Sequence, residues 1–262
     1  MIRNKKRIVL AFLGVCFLAV ILIFAALFGT KKAKTQREPI RMGVKSVDPV
    51  EDSSDFVMLS DVDPDIMQEI RYDTTYNFMG KQMAGFKAPV ALLTKEAADA
   101  LHEANEKFLR NGYCLRLYNA YCPKQAVDEM YRWSKVADDI SKQKYFYPNL
   151  TNKESLFREG YLSVNSAFSR GSTVAVTLVS LSDGKALDMG SSFDYFDEVS
   201  LTDTTHISTE QQENRDYLEM IMKKCGFKHS GKVWWQFTLE EEPYPETYFE
   251  FPVDILTKEV YF

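Results

Sequence analysis

From Ile8 to Phe28 the chain reads IVLAFLGVCFLAVILIFAALF, an unbroken apolar run without a charge. As a helix it is about 30 Å long, the thickness of a bilayer's hydrocarbon layer. A cleaved signal peptide has a shorter apolar region, roughly 7–15 residues, ending in a small-x-small site. Ala26-Leu27-Phe28-Gly29 is a poor site of that kind, and Val15 is too bulky before Cys16 for a lipid-attachment signal. The run therefore reads as one uncleaved transmembrane helix, which places the protein in the cell membrane and gives it the lipid bilayer as a partner. Arg3, Lys5, Lys6 and Arg7 precede it, and Lys31, Lys32, Lys34 and Arg37 follow it. A short basic N-terminus ahead of a first apolar segment stays inside. The globular part is expected outside the cytoplasm.

That organisation divides the chain into a basic tail (1–7), the anchor (8–28), a polar linker (29–55) and one globular domain (56–262). The linker is rich in Lys and then in Asp, Glu and Ser, with Pro39 and Pro49. The domain has ample core material, since the chain carries 18 Phe, 14 Tyr and 3 Trp. The formal net charge of −5 offers no basic field, which excludes nucleic acid as a partner. Outside the apolar run the cysteines are Cys114, Cys122 and Cys225, an odd count. They read as buried free thiols.

Lys95–Arg110 is expected to be a helix, with Ala97, Leu101, Ala104 and Phe108 on one face and Gly112 just past its end. Tyr113–Asn119 alternates as a strand, with Leu115 and Leu117 on one face. Pro123 opens a second helix running to about Lys142, with Val127, Met130, Ala137 and Ile140 inward. Thr173–Leu181 is apolar on both faces, a buried central strand ended by a Ser-Asp-Gly turn. Ser208 and Gln211 form a capping box for a helix stopping at Gly226. Val233–Thr238 and Thr247–Phe251 read as strands. The class is α+β, a single domain with a central, mostly antiparallel sheet flanked by helices.

No nucleophile elbow, zincin helix, C-x-x-C or phosphate loop occurs in the sequence. His102 reads as a surface histidine, and neither His206 nor His229 has a partner ligand at i+2 or i+4. Glu240-Glu241-Glu242 reads as a solvated acidic turn.

Six segments carry a sharper reading. They are Ile70-Arg71-Tyr72-Asp73-Thr74-Thr75-Tyr76-Asn77-Phe78-Met79-Gly80, Leu115-Arg116-Leu117-Tyr118-Asn119-Ala120-Tyr121-Cys122-Pro123, Ser169-Arg170-Gly171-Ser172, Asp188-Met189-Gly190-Ser191-Ser192-Phe193-Asp194, Trp234-Trp235 and Glu242-Pro243-Tyr244-Pro245. Their types and order resemble the D-alanyl-D-alanine dipeptidase family, over roughly Phe56 to Val253. The resemblance implies a zinc enzyme of peptidoglycan metabolism with the pattern S-x-H-S-R-G-x-x-x-D followed by E-W-W-H. The two His and the Asp bind zinc and leave a fourth position for water. The Glu is the general base, and the Arg of a Y-R-P motif offsets oxyanion charge.

This chain departs from the pattern at each of those positions. Phe168 stands at the first histidine, Ala175 at the aspartate and Gln236 at the second histidine. Val233 stands at the base and Cys122 at the arginine. Phe and Ala offer no ligand atom, and Gln236 offers only a neutral carbonyl. The expectation is a metal-free, catalytically inactive member that uses no cofactor and binds a D-Ala-D-Ala-like cell-wall peptide or a membrane protein partner. Phe168 and Val233 are expected to face each other and fill the former metal cavity. The alternative is an active zinc dipeptidase with relocated ligands, for which only His206 is expected near the pocket mouth. The resemblance also places Tyr72 and Asp194 where the family holds the dipeptide's ammonium group. Both have a scaffold reading as well, Asp194 as a turn or cap and Tyr72 as core.

Overall fold

The computed structural model describes residues 50–256. The basic tail, the apolar run 8–28 and nearly all of the 29–55 stretch lie outside the described residues. Among the described residues no helix is long and apolar enough to cross a membrane.

Seven strands and six α-helices are described. The strands are β1 (Phe56–Met58), β2 (Met67–Gln68), β3 (Leu92–Thr94), β4 (Tyr113–Asn119), β5 (Thr173–Ser180), β6 (Phe227–His229) and β7 (Gln236–Leu239). The helices are α1 (Leu59–Val62), α2 (Lys95–Leu109), α3 (Lys124–Ser134), α4 (Gln143–Phe146), α5 (Glu154–Arg158) and α6 (Thr209–Lys224). β1 pairs with β3, and a five-stranded sheet runs β2-β4-β5-β7-β6. Only the β2–β4 pairing in that sheet is parallel. The domain is thus α+β around a mostly antiparallel sheet.

The strongest local patterns form what they encode. All four apolar residues of the α2 stripe are fully buried. The helix also buries Asn105, whose side chain accepts from Leu115 N at 2.9 Å and donates to Asp63 Oδ2 at 3.0 Å, tying α2 to β4 and α1. β5 is buried along nearly its whole length, as a central strand must be. The α6 capping box is complete: Gln211 N donates to Ser208 Oγ at 3.2 Å, and Ser208 N donates to Gln211 Oε1 at 2.9 Å.

Three boundaries differ from expectation. α3 stops at Ser134, where the side-chain hydroxyl donates to Tyr131 O at 2.8 Å. Val127 and Met130 face inward, but Ala137 and Ile140 lie beyond the helix and are exposed. Asp138 and Asp139 would have stood at the negative end of a longer helix, an unfavourable place for carboxylates. β7 starts only at Gln236, because Val233 to Trp235 form a turn in which Trp234 N donates to Ser200 O at 3.1 Å. Thr247–Phe251 is not a strand and pairs only through an isolated bridge, Phe249 with Val50. Its aromatic residues are apolar for packing instead: the rings of Phe249 and Phe251 meet Phe56 edge-on, at 4.9 and 4.8 Å between centroids.

One irregularity positions the site. β4 and β5 pair regularly up to Leu117 opposite Val176; the register then slips, so that Asn119 rather than Tyr118 stands opposite Ala175. A bulge of this kind turns a strand's side chains onto new faces. Ala175 is in turn opposite Gln236 on β7. Asn119, Ala175 and Gln236 therefore form one row across three strands.

Candidate functional site

That row underlies a cavity of about 100 Å³. Asn119 and Gln236 line it, together with Tyr72, Cys122 and Phe168. The short helix Ala167–Arg170 brings Phe168 to the wall and ends in Gly171, with φ of 82°. It is clipped to the segment after β4. Cys122 N donates to Phe168 O at 3.2 Å, and Ser169 Oγ donates to Cys122 O at 2.7 Å. Residues distant in sequence, 72, 122, 168 and 236, thus share one pocket.

Three expected members, Ala175, Val233 and Asp194, do not line the cavity. Ala175 is fully buried within the sheet row and is not part of the wall. Val233 is buried, bridges Leu201 and does not reach the cavity. The expectation that Phe168 and Val233 close the cavity between them is therefore corrected. The turn at Val233–Trp235 carries Val233 into the core, and the cavity persists with polar groups on its wall.

Asp194 is reached through Tyr72, whose hydroxyl donates to its Oδ1 at 3.3 Å. Asp194 has a left-handed backbone, φ 61°, which Asn and Asp adopt more readily than other side chains. It is 2% exposed, and its Oδ2 has no hydrogen-bond partner. Burial pushes its carboxyl up to about 8, against the opposing effects of the Tyr72 hydroxyl and the nearby Arg71. Burial raises the Tyr72 phenol, with Asp194 beside it adding to the shift. Burial alone raises the Cys122 thiol far above its ordinary range, so it stays protonated.

Asn119 was not singled out by sequence reasoning. It ends an alternating strand, and only the bulge, which no local pattern announces, turns it to the cavity. It is 1% exposed, and neither its Nδ2 nor its Oδ1 has a partner. A buried polar group left unpaired costs about 1–3 kcal/mol, and most native structures avoid it.

The side chains present do not fit zinc. Phe168 has no donor atom, and Ala175 presents a methyl group. The Gln236 amide is already turned to Ser230, donating from Nε2 to its Oγ at 3.1 Å. Among the described residues no group of three His, Cys, Asp or Glu is placed to hold a metal ion. The histidines are engaged elsewhere. His102 Nδ1 lies 3.0 Å from Asp63 Oδ2. His229 stacks on Phe237, with Nε2 3.0 Å from Trp234 O. His206, expected near the mouth, is exposed beside Glu198 and does not line the cavity.

The remaining motif residues hold the frame. Arg170 makes a two-pronged bond to Glu242, at 2.8 and 2.6 Å. The Glu242 side chain is only 9% exposed, so the acidic turn is not simply solvated as expected. Cys114, Cys122 and Cys225 are all buried and unbridged.

A sequence model of the family described as D-ala-D-ala dipeptidase matches residues 52–254. The D-alanyl-D-alanine dipeptidase of Enterococcus faecalis is 39% identical, over 76% of this chain and 98% of its own. That of Streptomyces coelicolor is 36% identical, over 77% of this chain and 99% of its own. That of Escherichia coli is 29% identical, over 72% and 87%.

Proposed function

Because the chain belongs to the D-Ala-D-Ala dipeptidase family, we propose that it is a non-catalytic member that binds a small cell-wall peptide of the D-Ala-D-Ala type without cleaving it. The residues 8–28 hold it in the cell membrane, with the globular domain on the outer side, where such peptides are displayed. The observation that carries this reading is the replacement, on a family scaffold, of every group the reaction needs. Phe168, Ala175 and Gln236 stand for the metal ligands, Val233 for the base and Cys122 for the arginine.

A hydrolytic peptidase needs an activated water and a cation or dipole facing the oxyanion. Here the wall offers a phenylalanine ring, a protonated thiol and two carboxamides. None of them takes a proton from water near neutral pH. The cavity itself remains, and a pocket without catalytic groups is suited to binding. Tyr72 lines the cavity, and behind it Asp194 keeps one carboxyl oxygen unpaired, the acidic group that would answer a ligand's ammonium group.

The test is metal analysis of the purified full chain beside a D-Ala-D-Ala hydrolysis assay with added zinc. The expected result is no stoichiometric zinc and no turnover. One tightly held zinc per chain, or zinc-dependent hydrolysis, would overturn the reading. For the anchor, the chain is expected to stay with membranes through a high-salt wash, since salt removes electrostatic attachment but not a spanning helix. Its recovery in the salt supernatant would count against the anchor.

A further inference from the structure

We propose that the cavity selects a ligand ending in a primary carboxamide over one ending in a free carboxylate, and that Asn119 is the residue that reads it. This rests on the binding reading above and specifies its ligand.

The first observation is the wall itself. Every residue lining the cavity is of an uncharged type, Asn119, Gln236, Cys122 and Tyr72 supplying much of its polar character. The two cations next in sequence to lining residues, Arg71 beside Tyr72 and Lys232 beside Gly231, are engaged by other groups. Arg71 pairs with Glu69 at 2.7 Å. Lys232 donates to Glu159 O at 2.8 Å and covers the Tyr161 ring. A carboxylate entering this space would leave water without a countercharge, which is costly.

The second observation is the unused amide. Asn119 presents one donor group and one acceptor, both buried and both without a partner, on the wall of the cavity. A carboxylate has acceptors only and would face Asn119 Oδ1 with no proton between them. A trans secondary amide points its C=O and N–H in opposite directions, so one Asn engages only half of it. A primary carboxamide has its C=O and one N–H on the same edge. It closes a two-bond ring with Asn119, accepting from Nδ2 and donating to Oδ1.

Size agrees with this choice. An apolar cavity of about 150 Å³ holds benzene. The cavity of about 100 Å³ here holds a group of about four or five heavy atoms, such as a carboxamide with one methyl-bearing carbon.

The experiment is isothermal titration calorimetry on the purified full chain with three probes: D-alanyl-D-alaninamide, D-alanyl-D-alanine and D-alanyl-D-alanine N-methylamide. The carboxamide is expected to bind at least about tenfold more tightly than the acid, with the N-methylamide between them. Asn119→Leu removes both polar atoms at similar volume and should abolish the preference. Should that variant not fold, Asn119→Ala, which also lacks both polar atoms, should abolish it equally. Equal binding of acid and carboxamide, or preference for the acid, would overturn the proposal and leave the peptide-binding reading intact; binding of none of the three would overturn both. A preference surviving at Asn119→Leu or Asn119→Ala would overturn the role of Asn119. Hydrolysis of any probe would instead sink the non-catalytic reading beneath it.

Discussion

Phe168 and Ser169 are neighbours on one short helix, and their surroundings differ sharply. Ser169 is fully buried; its hydroxyl donates to Cys122 O, and its carbonyl accepts from Phe249 N at 2.8 Å. Phe168 is half-buried, with its side chain on a cavity. Ser169, Arg170 and Gly171 match the family pattern, whereas Phe168 departs from it. The difference is between a face that fixes the chain and a face that borders a cavity. Residues on the first are tied to several distant segments at once, so a change there breaks the fold. Residues on the second meet a void on one side, so a change there costs the fold less.

The largest effect expected from this contrast is at Glu242. Glu242→Ala leaves the Arg170 guanidinium, 16% exposed, without its two-pronged partner. Removing one member of such a pair costs about 3–5 kcal/mol. Urea unfolding of the variant should show that loss. A change below about 1 kcal/mol would mean that the Arg170–Glu242 tie is not part of what fixes the frame.

Asp194 tests the boundary between the two faces, being buried like the frame yet half-unpaired like the cavity. Its folded-state value is about 8, above that of an unfolded carboxyl. Between about pH 4 and pH 8 the folded protein therefore holds a proton that the unfolded chain has released. Stability contributed by this group is fully present below the unfolded value, falls as pH rises to about 8, and is level beyond. Asp194→Asn removes the dependence, and Asn tolerates the left-handed backbone. The stability difference between variant and parent should shift in the variant's favour by about 3 kcal/mol from pH 5 to pH 8. Parallel stability–pH curves would show that Asp194 is charged in the folded protein at neutral pH.

The frame was more legible in sequence than the site. The α2 stripe, the fully apolar β5 and the Ser208–Gln211 capping box are each encoded within about a dozen residues. Gly171 at the end of its helix belongs with them. Glu242 was read as solvated because its partner lies 72 residues away, and no local pattern pairs the two. Val233 was expected at the cavity because the resemblance puts the general base at its position; the turn at Trp234-Trp235 buries it instead. Asn119 was overlooked because a strand's alternation gives the wrong face once a residue is inserted in the register.

Gly171 carries the next effect in size. Its φ of 82° is left-handed, and a side-chain carbon added there would come within 2.3 Å of the Phe56 ring. That ring cannot yield easily, since Tyr121, Phe249 and Phe251 pack around it. Gly171→Ala should cost about 2 kcal/mol or more, from strain and clash together. A thermal melt unchanged from the parent would show that the Ser169–Gly171 clamp is looser than its bonds suggest.

The smallest effect is expected at Phe168, only three residues before Gly171. Truncating a fully buried phenylalanine costs about 3–5 kcal/mol, because contacts are lost all round and a cavity is left. Phe168 already faces a cavity of about 100 Å³, so part of its ring has no partner atoms to lose. The clip that holds its backbone, the bond from Cys122 N to its carbonyl, does not involve the side chain and survives truncation. Phe168→Ala should therefore cost about 1 kcal/mol or less in urea unfolding, while widening the pocket. A loss near 3 kcal/mol would place Phe168 with the clamped residues. The cavity face would then be as constrained as the frame, and Phe168 would have a stabilising role of its own.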